Sequence, residues 1–258
     1  MADNKIYIDR SNNIPVLMLN RPSKRNALNL EMWQSLISTL DEVNEDPSIQ
    51  ILVISGEGNT FCSGADISEM KEVFSDKEIA TRIANITYEA QKKLYELTKP
   101  TIAMIRGSCV GGGCGLALCC DFRFGDNTIK MGITPGKIGL VYSLADTKRL
   151  IHAVGVTKAK DILFTGRLLD SEECMQIGLV DKVVTKDLLD KTVFNYAESI
   201  IGTSKFSLKS NKKIINMISG GHYDDNAETR RMFIEAFSEN DFKEGIDAFL
   251  SGRKPNFL

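Results

Sequence analysis

The sequence predicts a mixed α/β (α+β) fold, in which strand–strand–helix units repeat to about residue 200 and helices alone follow. Three observations carry this. Short apolar strands bounded by turn residues recur before segments of helical periodicity. The centre of the chain, residues 101–121, runs from an apolar strand through glycines into a second apolar run that reads as a buried helix. From Ser204 onward no strand pattern is evident. The division expected is a core over residues 1–200 and a helical region over residues 201–258, and 258 residues suffice for a large core.

Taken in order, residues 5–9 and 16–20 alternate around Ser11-Asn12-Asn13, a hairpin signal. Leu30, Trp33, Leu36, Ile37, Leu40 and Val43 repeat at helical spacing, with Asn29 as N-cap. Residues 49–54 read as a buried strand ending at Gly56. Ser75-Asp76-Lys77-Glu78 has the form of a capping box and opens a helix through Ile79, Ile83, Ala90, Leu94 and Leu97. Lys99-Pro100 stops it. Residues 121–124 and 129–131 read as short strands. Helices follow over 144–151, 156–164 and 170–177, and a strand over 180–184. Thr185 is expected to cap a helix running to Ile200. Residues 206–218, 224–238 and 241–250 read as helices.

Hydrophobic residues make up 43% and charged residues 26%, with a net charge of −2, which argues against an electrostatic surface for nucleic acid. Lys205, Lys209, Lys212 and Lys213 read as the solvated face of one helix. No apolar run has the length of a membrane span, and the first residues lack the apolar core of a signal peptide, so a cytoplasmic protein is expected. The six cysteines form no metal-ligand pattern with His152 and His222. They are expected to be buried free thiols, and no metal is expected. No GxGxxG lies between a strand and a helix, and GxxxxGK[ST] does not occur, so nucleotide-fold readings are weak.

Gly111-Gly112-Gly113 at a helix N-terminus aims backbone N–H groups at one point. Such a place holds a phosphate or a developing oxyanion, or is simply a tight turn with close packing.

Three motifs go further: Asn20-Arg21-Pro22-Ser23-Lys24-Arg25-Asn26-Ala27-Leu28, then Phe61-Cys62-Ser63-Gly64-Ala65-Asp66-Ile67, then Gly107 through Gly113 with Asp121 downstream. Their order and spacing, with the ending Arg253-Lys254-Pro255-Asn256-Phe257, resemble the crotonase (enoyl-CoA hydratase/isomerase) superfamily. The resemblance implies a crotonase/ClpP-like spiral of β-β-α units. It implies a C-terminal region that builds homotrimers, often hexamers, and an acyl-CoA thioester as partner. No cofactor is implied beyond the coenzyme A of the substrate. It assigns the oxyanion hole to the N–H groups of Ala65 and Gly112. It places Ser63, Gly64, Ala65, Asp66 and Ile67 along the adenine pocket, brings Lys24 toward the CoA phosphates, and counts Ala27, Gly111 and Pro135 among the substrate-binding positions. Asp66 is structural by the same reading.

The chain also departs from that pattern. Family hydratases carry two glutamates, and the matching positions here are Gly115 and Pro135. Neither can move a proton, and losing one such group typically costs roughly 10²–10⁴ in rate. Thr134-Pro135, Gly139 and Tyr142 are similar to the methylmalonyl-CoA decarboxylase branch, where a tyrosine matching Tyr142 sits near the carboxylate that is lost. Decarboxylation forms an enolate without a base. A lyase of this kind is therefore the expected activity. The alternatives are a hydratase with a non-standard base and a non-catalytic acyl-CoA-binding scaffold. Asp146 and Lys137 are weaker candidates, and Cys62 and Cys114 are read as pocket-wall residues.

Overall fold

The computed structural model describes residues 4–69 and 76–257. Six strands form one sheet in the order β1-β2-β3-β4-β6-β8: β1 (Ile6–Asp9), β2 (Val16–Leu19), β3 (Leu52–Gly56), β4 (Thr101–Ile105), β6 (Phe122–Asp126) and β8 (Lys182–Val184). β1 and β2 are the expected antiparallel hairpin, and every later pairing in this sheet is parallel. Parallel strands need a long crossover, and the helices supply it. The inner strands are buried on both faces. Leu17, Leu52, Ile54, Ala103 and Ile105 join the larger core, while Val16, Val53, Ile102 and Met104 face Leu189, Val193 and Ala197. This is why those strands read as near-continuous apolar runs.

A second, smaller layer lies alongside. β5 (Ser108–Val110) pairs in parallel with β7 (Lys130–Gly132), and isolated bridges extend the layer at Leu28–Ala65, Cys62–Cys109 and Met131–Leu169. Each turn of the chain thus lays one strand in the large sheet, one rung in the small layer, and then a helix. The result is the β-β-α spiral that the resemblance implied. β5 is the element the sequence did not announce: three residues between Gly107 and Gly111 are too few to show a period.

Side-chain caps open several of the helices. Asn29 Oδ1 accepts from Met32 N (3.0 Å) at the start of α1 (Leu30–Glu45). Asp76 Oδ1 accepts from Glu78 N (2.7 Å) at the start of α2 (Lys77–Tyr95), and Ser75 lies outside the described residues. α3 (Gly112–Leu118) is the glycine-led helix. The two helices expected over 144–164 form one element, α4 (Leu144–Thr165), broken at Gly155 where φ is 74°. α5 (Ser171–Gln176) is capped by Asp170. α6 (Leu189–Ile201) covers the second face of the sheet, and α7 (Lys205–Ser219), α8 (Ala227–Glu235) and α9 (Asn240–Leu250) complete the chain.

Several boundaries differ from expectation. β3 begins at Leu52, because Ile49 and Ile51 are buried by packing before the ladder starts. β8 begins at Lys182. α2 ends at Tyr95, before Leu97. Thr185 makes no side-chain cap; a 3-10 turn, Lys186–Leu188, stands between it and α6. Lys212 does not belong to a solvated face. Its ammonium is buried against Asp121 (2.7 Å) and the Lys99 carbonyl (2.8 Å), which ties α7 to the foot of β4.

Candidate active site

The site grows out of one rung of the small layer. Cys62 N donates to Ser108 O and Val110 N to Cys62 O, both at 2.9 Å, so the segments at 62 and 109 run in parallel register. Three residues beyond each partner lie Ala65 and Gly112. Equal spacing from a shared rung brings these two backbone positions side by side: a methyl group built on Gly112 would lie 3.7 Å from Ala65 N.

Glycine is required where the segments touch. Gly64 has φ of 104°, and a Cβ there would meet Val110 O at 2.9 Å. A Cβ at Gly113 would lie 2.5 Å from Cys62 O. Leu28 N donates to Gly64 O (2.8 Å) and Asp66 N to Leu28 O (2.9 Å), fixing the backbone on both sides of Ala65. Among the described residues, neither Ala65 N–H nor Gly112 N–H has a protein acceptor. Gly112 opens α3, so its N–H is one of the groups a helix leaves unpaired, with the positive end of the dipole behind it. Both residues remain partly solvent-accessible while Gly64 and Gly113 are buried. Two free, neighbouring, reachable donors suit an oxygen that gains negative charge.

The other sequence-predicted residues gather unevenly around this pair. The turn Pro22–Lys24, followed by left-handed Arg25 and Asn26, lies against the 63–66 segment: Ser63 N donates to Arg25 O (3.0 Å) and Ser63 Oγ approaches Lys24 O (3.4 Å). Lys24 is exposed and Ala27 is buried. Asn26, not singled out from sequence, fastens the turn. Its Nδ2 donates to Glu57 O (3.0 Å) and Thr60 O (2.6 Å), and its Oδ1 accepts from Arg21 N (2.9 Å). Its signal was a buried-type amide at a left-handed position of a turn. Asp66, which the resemblance reads as structural, has its partners within the protein. It pairs with Arg21 (2.7 Å) and accepts from Ser68. The Ser68 hydroxyl above all, then Arg21, hold its carboxyl down near 2 against burial. Ile67 is exposed. Gly111 N donates to Gly132 O (2.8 Å), and Thr134 Oγ1 lies 4.0 Å from a Cβ built there; Pro135 then opens the 3-10 turn Pro135–Ile138. Lys137 does not reach this region, since its stem lies over Gly166.

One helical turn along α3, Gly115 faces a polar cluster. A Cβ on Gly115 would lie 2.8 Å from Gln91 Nε2, 3.0 Å from Tyr142 Oη and 3.3 Å from Asp146 Oδ1. The volume a side chain would take is already filled by these three groups. Asp146 is held by Arg149 (3.0 Å) and by the Ser143 hydroxyl (2.7 Å), and Arg149 stacks over Tyr95 at 5.1 Å. Burial raises the Asp146 carboxyl above the usual range despite these partners. Burial, followed by the neighbouring Cys114 and Asp146, pushes the Tyr142 phenol upward too. Tyr142 Oη is buried and has no hydrogen-bond partner among the described residues. Gln91 was missed from sequence; it is the polar residue on the otherwise apolar stripe that includes Ala90 and Leu94.

All six cysteines are buried free thiols. Burial lifts Cys62 to about 12, which leaves it a packing residue and not a nucleophile. Among the described residues no cluster of His, Cys, Asp and Glu is placed to hold a metal ion, and no helix is long and apolar enough to cross a membrane.

A six-stranded sheet and a smaller parallel layer wound together as a β-β-α spiral is the fold of the crotonase superfamily. The comparisons with known proteins agree. The sequence pattern of the enoyl-CoA hydratase/isomerase family matches residues 9–258. A crotonyl-CoA hydratase of Syntrophomonas wolfei is 33% identical, covering 100% of this chain and 99% of its own length. The crystal structure of a putative enoyl-CoA hydratase/isomerase family protein from Hyphomonas neptunium superposes with a TM-score of 0.95 at 36% identity, over 98% of this chain and 97% of that one. An enoyl-CoA hydratase/carnithine racemase from Magnetospirillum magneticum gives 0.94 at 30% identity, over 99% and 96%. The chain belongs to the enoyl-CoA hydratase/isomerase family.

Proposed function

We propose that this protein is an acyl-CoA lyase that holds the thioester oxygen between Ala65 N–H and Gly112 N–H while an enolate develops, and that the enolate arises by loss of CO₂ from a malonyl-type thioester. The observation carrying the first half is the pair of neighbouring, unpaired donors. Each such donor is worth roughly 3 kcal/mol to a developing oxyanion. Gly115 and Pro135, where hydratases of the resemblance carry glutamates, support the second half. A carboxylate substrate there meets no opposing pair of carboxylates. CoA-binding roles are proposed for Lys24, Ala27, Ser63, Gly64, Asp66, Ile67 and Gly111, and a place near the departing carboxylate for Tyr142. A trimer or hexamer is proposed as well. Phe233, Ile234, Phe237, Phe249 and Leu250, exposed on the helices after residue 201, support it.

Hydration is the second reading, favoured by the relatives' names and by the raised carboxyl of Asp146. Incubation with crotonyl-CoA, methylmalonyl-CoA and ethylmalonyl-CoA, followed by mass spectrometry, separates the readings. Decarboxylated acyl-CoA is the expected product. Rapid formation of 3-hydroxybutyryl-CoA from crotonyl-CoA would establish hydration instead, and CoA binding without any turnover would establish a scaffold.

A further inference from the structure

We infer that a cavity at the C-terminal end of α3, apart from the thioester site, binds a small organic acid, with its carboxylate on Arg149 and Lys212 and its apolar body against α3 and α7. The inference does not depend on which acyl-CoA reaction the protein performs.

The cavity has a volume of about 450 Å³ and lies where α3 ends, between α4 and α7. Small-molecule sites fall in this size range and combine an apolar lining with a few polar groups. Leu118, Phe122, Leu208 and Ile215 provide apolar surface, and the Tyr95 ring adds an aromatic face. α3 is seven residues long, roughly 10 Å along its axis. The cavity therefore stands at the end of α3 opposite to the Gly112 N–H.

The charges decide the ligand. Three cations, Arg123, Arg149 and Lys212, line the cavity against one carboxylate, Asp121. Arg123 is already occupied by Leu179 O (3.0 Å), Cys120 O (3.0 Å) and Asp181 (3.4 Å). Asp121 Oδ2 is occupied too, accepting from Thr101 N (2.7 Å), Thr101 Oγ1 (3.0 Å) and Lys212 Nζ (2.7 Å). Lys212 donates a second proton to Lys99 O (2.8 Å), which leaves its third N–H over. Arg149 donates one N–H to Asp146 (3.0 Å), and its other side-chain N–H groups have no acceptor among the described residues. Both side chains are about nine-tenths buried, Arg149 at 10% exposure and Lys212 at 9%. Charged donors left without acceptors in such a place are costly. A carboxylate offers acceptors to both cations, an alcohol of the same shape brings no charge, and an ammonium is repelled. The Tyr95 ring, 5.1 Å from the Arg149 guanidinium, holds it in position, and Asn216 Nδ2 donates to Tyr95 O (3.3 Å), which ties α7 to the same wall.

The test is calorimetric titration of the whole protein with octanoate, octan-1-ol and octylamine. Octanoate should bind at least about tenfold more tightly than the other two, and its affinity should not change when octanoyl-CoA is present. Arg149→Met should weaken octanoate at least about tenfold and leave octan-1-ol within about twofold, a split that a general loss of structure does not produce. Leu208→Trp fills the cavity and should abolish octanoate binding, and Ala153→Phe fills it from α4 should the first variant fail to fold. Circular dichroism shows which variants are folded. A crystal structure with octanoate should place its carboxylate within hydrogen-bond distance of Arg149. Equal affinity for octanoate and octan-1-ol overturns the acid as ligand, as does the lack of saturable binding. Displacement by octanoyl-CoA, or unchanged binding in a folded cavity-filling variant, overturns the location.

Discussion

At the rim of the site two backbone N–H groups, on Ala65 and Gly112, lie near each other with no protein acceptor among the described residues, and their positions follow from one shared rung. One turn further along α3, at the wall, side chains from α2, α4 and the segment before α4 converge on a glycine that contributes nothing but space. The rim is a property of the fold. The wall is a property of this sequence, assembled from residues 91, 115, 142 and 146. The difference teaches how such a fold changes its chemistry. On the proposed reading, enolate stabilisation belongs to the backbone, where substitution hardly reaches it, while the chemistry beside it depends on side chains that compete for one volume.

Removing a rim donor should have the largest effect. Gly112→Pro deletes one N–H at the first position of a helix, where proline is tolerated, and a Cβ there has room, with its nearest neighbours at 3.7 Å. Turnover should fall by roughly 10²–10³ with the melting temperature nearly unchanged. A loss of only a few-fold would move the oxyanion hole elsewhere.

The wall gives the next effect. Gly115→Glu restores the residue type that hydratases of the resemblance carry, but its Cβ would press on Gln91 Nε2 and Tyr142 Oη. Overpacking of this kind costs about 1–3 kcal/mol, visible in denaturant titration. Crotonyl-CoA hydration should not appear. If it does, the polar cluster yields its space easily and the wall is less committed than described.

Gly64→Ala probes the joint between the regions. Strain at a φ of 104° and a 2.9 Å approach to Val110 O should destabilise the fold by about 1–3 kcal/mol and lower turnover through Ala65.

The smallest effect lies outside the chemistry. Asp66 is held near 2, below its unfolded value, so its contribution to stability is full above about pH 4 and disappears as pH falls toward 2. Asp66→Asn should cost about 1–3 kcal/mol at neutral pH and flatten the acid side of the stability curve.

The same contrast explains what the sequence made legible. The hairpin, the buried strands, the cap at Asn29 and the glycine-led helix are local patterns, and each was readable from its own residues. The pairing of Ala65 with Gly112 came from the resemblance, while Gly64 and Gly113 answer to backbone demands visible in the structure. The wall was only half readable. Gly115 stood out by departing from the family's pattern and Tyr142 by its similarity to one branch of it, but Gln91 and the placing of Asp146 depend on how α2 and α4 pack, and no local spacing carries that. Lys212 was misread for a similar reason: its helix is amphipathic, yet its partner Asp121 lies 91 residues away.

The central claim is that the thioester oxygen sits in the backbone rim and the α-carbon faces the wall. A crystal structure with a non-hydrolysable malonyl-type CoA analogue tests it most directly. The oxygen should lie about 2.7–3.1 Å from both Ala65 N and Gly112 N, with the carboxylate of the analogue on the side of Tyr142. A bound analogue whose thioester oxygen touches neither N–H would contradict the account.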